Sequence, residues 1–162
     1  GQYAIMKYAG ELLVKDYARK QLDYTIVRPS AVYGPRDVND RVVSKFLNQA
    51  IKNETLKVNG VNEILDFTHV DDTSDGIVGI VNNMKTTKNK TYNITRGVGR
   101  TIKEAADICI AVARSGNIEI KDKDVNFPSR GTLNCANAKD DFGYDPRIDI
   151  EEGFADYYKW VR

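Results

Sequence analysis

A phenol and an ammonium stand four residues apart at the start of this 162-residue chain, in Tyr3-Ala-Ile-Met-Lys7. In a helix that spacing stacks the two side chains one turn apart on a single face. A lysine beside a tyrosine favours the phenolate, so the two form a candidate proton-transfer pair. An ordinary phenol titrates near 10, and serving as a base near neutrality asks for a pKa lower by about 3, roughly 4 kcal/mol. One lysine falls short of that, and a bound cationic cofactor could supply the remainder. Alone the spacing decides nothing. Nine tyrosines and fourteen lysines would give about 0.8 such pairs by chance.

Other groups that could do chemistry are sparse. His69 is the only histidine, so a histidine metal site or a Ser-His-Asp triad has little to build on; it reads as a structural side chain, and no metal is expected. Asp71, Asp72 and Asp75 look like paired carboxylates. They sit at an expected helix start, where negative charge and side-chain capping are favourable, and capping is the better reading. Gly97-Val-Gly99 lacks the strand-turn-helix context of a phosphate-binding glycine turn and reads as a pair of loop glycines. Cys109 and Cys135 are expected to be reduced and buried. Lys85 to Lys90 reads as a solvated basic turn.

The elements that must position Tyr3 and Lys7 follow from periodicity. Residues 2 to 20 read as one amphipathic helix, with Ala4, Tyr8, Leu12 and Leu13 on adjoining parts of its surface. Tyr24 to Arg28 is a short β-rich run stopped by Pro29, as expected of a buried parallel strand. Ser30 to Asp40 is a loop ending in the N-cap candidates Asn39 and Asp40. A helix is predicted from about Arg41 to Lys52, with Val42, Val43, Phe46, Leu47 and Ala50 inward. Leu56–Val58 and Ile64–Val70 read as two strands about an Asn59-Gly60 turn. Asp71-Asp72-Thr73 opens a helix to about Val81, and Thr91 to Thr95 is a strand. Thr101-Ile-Lys-Glu104 is a capping box opening a helix to about Arg114. Ile118–Ile120 is a last strand, followed by helices near Ala136–Phe142 and Glu151–Trp160. Helices alternating with short strands argue for α/β architecture.

Composition bounds the function. The chain is 41% hydrophobic and 29% charged, as in one soluble globular domain. Its 24 basic and 23 acidic residues are interspersed and give no electrostatic footprint for nucleic acid or an anionic membrane. No apolar run approaches the roughly 20 residues of a membrane span, and a cytoplasmic location is expected.

Several stretches, in order, resemble one family. They are Tyr3-Ala-Ile-Met-Lys-Tyr-Ala-Gly-Glu11, Arg28-Pro-Ser-Ala-Val-Tyr-Gly-Pro-Arg-Asp37 and Arg41-Val-Val-Ser-Lys-Phe46. Asp66-Phe-Thr-His-Val-Asp-Asp72, Tyr92-Asn-Ile94, Gly143-Tyr-Asp-Pro146 and Glu151-Glu-Gly153 follow. The set resembles the C-terminal half of an extended short-chain dehydrogenase/reductase of the nucleotide-sugar epimerase/dehydratase kind, similar to UDP-glucose 4-epimerase. The resemblance implies the end of a Rossmann-like doubly wound sheet over residues 1–40. Residues 41–162 would form mostly a smaller substrate-binding α/β subdomain. Members of the family run to roughly twice this length. The chain is therefore expected to be a fragment, inactive alone, without the glycine-rich dinucleotide turn.

The same resemblance implies roles. Tyr3 would be the catalytic acid/base, and Lys7 would hold the nicotinamide ribose of NAD or NADP while activating the tyrosine. Pro29, Ser30 and Val32 would border the nicotinamide. Ala31, Arg41, Val42, Lys57, Val58 and Arg130 would face the nucleotide-sugar substrate, Arg130 as a diphosphate clamp. Two positions depart from the family pattern: Ala31 stands where many relatives carry Asn, and Leu65 where many carry a phosphate-binding Arg. Both departures lean toward an alternative, a reductase of a keto-sugar or small carbonyl compound. A non-catalytic protein retaining the fold is the other alternative. A homodimer is expected of the full-length protein, and self-association of the fragment through its first helix.

Overall fold

The computed structural model of the chain describes residues 1–37, 41–125 and 128–162. Its first element is α1 (Gln2–Ala18), followed by β1 (Thr25–Pro29) and the short β2 (Val32–Tyr33). Then come α2 (Val42–Ile51), β3 (Thr55–Asn59), β4 (Ile64–Leu65), β5 (Thr68–His69), α3 (Val70–Asn82) and α4 (Met84–Thr87). The second half holds β6 (Lys90–Ile94), β7 (Arg100–Thr101), α5 (Ile102–Ala113), β8 (Asn117–Lys121), α6 (Ala136–Phe142) and α7 (Ile150–Val161). Among the described residues β1 pairs with β6, β2 with β5 and β3 with β8, all parallel. Only β4 with β7 is antiparallel. Parallel neighbours need long crossovers, which the intervening helices provide, and the result is the expected α/β class.

Two hydrophobic cores hold these layers. The β1–β6 pair sets Val27 opposite Tyr92. Val27 then packs with Tyr92, Ile94, Ile80 of α3, Ala138 of α6 and Tyr144. Gly76 lets α3 approach closely, because a Cβ there would lie 2.5 Å from Ile94 and 2.9 Å from Tyr144. The larger core gathers α2, β3, α5 and α7 through Leu47, Ala50, Leu56, Val58, Ala106 and Phe154. Tyr33 and Phe67 enter it edge-on to Phe154, with centroids 4.9 Å and 6.0 Å away. Such offset aromatic contacts add to area burial.

Several local expectations give way to long-range pairing. Asn59-Gly60 does not close a hairpin: β3 pairs with the distant β8, and β4 with β7. Ile64 to Val70 is two two-residue strands broken at Asp66-Phe67 rather than one. Lys85 to Lys90 overlaps the end of α4, with Thr87 buried and its hydroxyl donating to Ile80 O at 3.0 Å. Lys88 and Lys90 reach Asp23 and Asp141 as ion pairs. Cys109 is free and buried, whereas Cys135 is free but only half-buried. The N-cap candidates Asn39 and Asp40 lie outside the described residues; Arg41 stands at the N-cap of α2 without a side-chain capping bond. No helix among the described residues is long and apolar enough to cross a membrane.

Candidate active site

Tyr3, Lys7 and Glu11 lie at successive four-residue steps along α1, so they form one stripe. Lys7 Nζ stands over the Tyr3 ring, 5.7 Å from its centroid. Tyr3 is 76% exposed, and α1 buries none of its side chains. What orients the helix is the third member of the stripe. Arg28 near the end of β1 donates from Nε to Glu11 Oε1 at 2.7 Å and from Nη2 to Oε2 at 2.6 Å. This two-pronged fork has the geometry that makes arginine–carboxylate pairs directional. It lowers the Glu11 pKa and raises that of Arg28, chiefly through the shared hydrogen bonds. The fork ties Glu11, at one end of the stripe, to β1.

Beyond β1 the chain bends through Ser30 and Ala31. Ala31 takes φ +38°, a left-handed conformation that alanine adopts at a cost and asparagine tolerates better. Ala31 O accepts from Thr68 N–H, which seats the bend beside β5. The following segment opens a cavity of about 570 Å³ lined by Val32, Gly34, Arg36, Arg41, Ser74 and Trp160, among others. Gly34 is required there, because a Cβ at its φ of +136° would lie 2.9 Å from Val70 and 3.1 Å from His69 Nε2.

Among the residues singled out from the sequence, Val32 and Arg41 meet in that cavity. Pro29 is exposed and Ser30 half-buried at the end of β1; Val42 packs partly against the larger core. Lys57 points outward from β3, whereas Val58 is fully buried among the side chains of that core. Arg130 is exposed in the loop between β8 and α6. Leu65 is buried in the core. His69 has a structural role: its Nδ1 accepts from Asp71 N–H at 3.2 Å and caps α3. That leaves the proton of a neutral ring on Nε2, which is 3.8 Å from Asp156.

Capping is not what Asp72 does. Its two oxygens accept from the N–H groups of Arg147 and Ile148, both at 3.0 Å. Asp66, absent from the sequence-based candidates, accepts from Thr95 Oγ1, Gly97 N and Leu133 N, each at 3.0 Å. The Gly97 amide is thus engaged by a carboxylate, in keeping with a loop glycine. Gly34, Arg36, Ser74 and Trp160 were also missed; Gly34 and Arg36 stand in the sequence only as part of the Arg28–Asp37 stretch. Among the described residues no cluster of metal-ligating side chains occurs.

The profile of the NAD dependent epimerase/dehydratase family matches residues 1–95. A dTDP-glucose 4,6-dehydratase of Streptomyces griseus is 23% identical over 98% of this chain and 49% of its own length. UDP-glucuronic acid decarboxylase 1 of Arabidopsis thaliana is 29% identical over 91% of this chain and 34% of its own. The crystal structure of UDP-glucose 4-epimerase with UDP-glucose from Thermotoga maritima superposes with a TM-score of 0.90 at 25% identity. It covers 98% of this chain and 52% of that one. A UDP-glucuronic acid 4-epimerase of Bacillus cereus, in complex with UDP-glucuronic acid and NAD, has a TM-score of 0.90 at 22% identity and the same coverage, which shows the Rossmann-like fold. The chain spans about half the length of most of these relatives. With its profile match across more than half the residues and its fold shared with these structures, the chain belongs to the NAD dependent epimerase/dehydratase family.

Proposed function

We propose that this chain carries the proton-transfer residues and the sugar-nucleotide side of a nucleotide-sugar epimerase or dehydratase. One observation carries the reading: the Tyr3–Lys7–Glu11 stripe is held by the Glu11–Arg28 fork to the strand that leads into the cavity-lining segment. Residues 1–40 would close the Rossmann-like domain and 41–162 form mostly the substrate-binding subdomain, with β6 returning to pair with β1.

The donor set fits the nicotinamide and ribose end of NAD or NADP. An exposed phenol stands beside an ammonium that has no ion-pair partner among the described residues. When bound, the dinucleotide would supply hydride exchange at a sugar carbon. Tyr3 Oη would take or return the proton of the sugar hydroxyl, and Lys7 Nζ would hold the ribose hydroxyls. Pro29, Ser30 and Val32 would border the nicotinamide side. Ala31, Arg41, Val42, Lys57, Val58 and Arg130 serve the sugar nucleotide, Val58 by its backbone. Among the described residues the Gly97 amide is engaged by Asp66 rather than free to cradle a pyrophosphate, and the chain alone is expected to be inactive. The exposed apolar residues of α1, such as Leu12 and Leu13, would meet a second copy in a homodimer; a monomer in sedimentation velocity would count against that partner.

A second reading, a reductase of a keto-sugar or small carbonyl compound, draws support from Ala31 and Leu65, which both pack against the core. Product analysis separates the two. UDP-glucose, UDP-glucuronate and dTDP-glucose would each be incubated with NAD and a protein in which this chain follows a dinucleotide-binding half. Epimerised or 4-keto product from one of them is expected. Carbonyl reduction with every sugar nucleotide unchanged would transfer the assignment to the second reading.

A further inference from the structure

A second cavity, of about 440 Å³, lies between the loop after β6 and the segments flanking α6; Arg96, Asn134, Cys135, Lys139, Tyr144 and Asp145 line it, among others. It shares no residue with the Tyr3–Lys7 stripe. Two of its lining side chains carry a buried polar atom without a hydrogen-bond partner: the Tyr144 hydroxyl and Arg96 Nε. Tyr144 is only 6% exposed. Burial keeps its phenol protonated far above the usual range, and a guanidinium is always charged. Both orphan groups are therefore donors. Leaving a buried donor unmade costs about 1–3 kcal/mol, so a wall with two of them has the chemistry of a site lacking its acceptor.

The walls are built before any ligand arrives. Asp66 ties the loop after β6 to Leu133, through Thr95, Gly97 and the Leu133 amide. Asp72 ties down Arg147 and Ile148 just beyond Tyr144, and Arg96 Nη1 donates to Pro146 O at 2.8 Å. Pre-organisation of this kind removes much of the ordering cost of binding. The space is also far larger than the roughly 30 Å³ that one water occupies.

We propose that this cavity binds a small carboxylate-bearing ligand, its two oxygens taking the Tyr144 O–H and the Arg96 Nε–H while Lys139 faces it at the rim. The charge balance favours one negative charge over two. Asp149 already lies 3.9 Å from Arg96 Nη2, Asp145 sits on the rim, and the Asp72 and Asp66 carboxylates act on Tyr144, so a phosphate dianion would meet more repulsion than a single carboxylate.

The test is an amide NMR titration of the chain with acetate, a monocarboxylate with a single negative charge, and with inorganic phosphate as the comparison arm. Acetate is expected to move the Gly97, Asn134 and Lys139 amides saturably and to bind more tightly than phosphate. Tyr144→Phe removes only the hydroxyl. It is expected to weaken acetate binding by about tenfold or more, with the thermal midpoint of the ligand-free chain unchanged or higher. Arg96→Gln should weaken binding as well. The proposal is overturned by an absence of saturable shifts, by tighter binding of phosphate than of acetate, or by Tyr144→Phe binding acetate as well as the parent chain.

Discussion

Asp66 is a carboxylate with no exposed surface, and its environment explains how it is tolerated there. A buried charge is costly unless hydrogen-bonded, and three donors from two loops converge on it. Replacing it with Ala would leave the Gly97 and Leu133 amides without their acceptor. Asp66→Ala is expected to cost about 3 kcal/mol, read from urea unfolding, and an unchanged midpoint would show that these bonds contribute nothing. Tyr3 and Lys7 are the reverse case: exposed, unpacked, and positioned only by the helix that carries them. Their stability cost on mutation should be small, so any effect of changing them belongs to chemistry.

At the scale of elements, the Glu11–Arg28 fork ties α1 to β1. Glu11→Gln should loosen α1 by about 0.5–1 kcal/mol, seen as faster amide exchange in α1 with β1 and β6 unaffected. The pH dependence follows from the same pair. The Glu11 pKa is lowered in the folded chain from the ordinary 4.5. Its contribution is therefore present above 4.5 and lost as pH falls through the depressed value. Acidification below 4.5 should free α1 first, and α1 exchange indifferent to acid would contradict this.

The elements legible in the sequence were those that carry their own signals. The Thr101–Glu104 capping box forms as read, and α6 ends at Phe142 before the left-handed Gly143. The stripe that places Tyr3 and Lys7 was legible too, and Glu11 one turn further was a signal left unused. What failed depended on partners far along the chain. The Asn59-Gly60 turn is a local hairpin signal, but β3 gains a parallel partner in β8 that no local spacing reveals. β2 and β7 are two residues each, held by pairing rather than propensity. Asp72 sits where capping residues belong, yet its acceptors serve amides of the Arg147 segment. The cavity around Tyr144 likewise joins segments with no sequence proximity.

For the molecule as a whole, buried phenols set an alkaline limit. Tyr33, Tyr92 and Tyr144 all have pKa values raised above the ordinary 10.0, mainly by burial. A raised folded-state pKa contributes stability that is complete below 10 and lost as pH rises toward the folded value. Unfolding above pH 10 should therefore accompany the late phenolate absorbance of these residues; their ionisation in a still-folded chain would contradict the burial described. Tyr33 lies in the larger core, and Tyr92 and Tyr144 lie in the smaller one beside the β1–β6 pair.

The central claim is that Tyr3 moves the proton of a sugar hydroxyl. Its most direct test is Tyr3→Phe in a protein joining this chain to a dinucleotide-binding half, assayed with the sugar nucleotide that the parent converts. The loss of an acid/base group is expected to lower kcat by about 10²–10⁴-fold, with NAD and sugar-nucleotide binding retained. A Tyr3→Phe enzyme that turns over within twofold of its parent would place the proton transfer on another group and contradict the reading of the stripe.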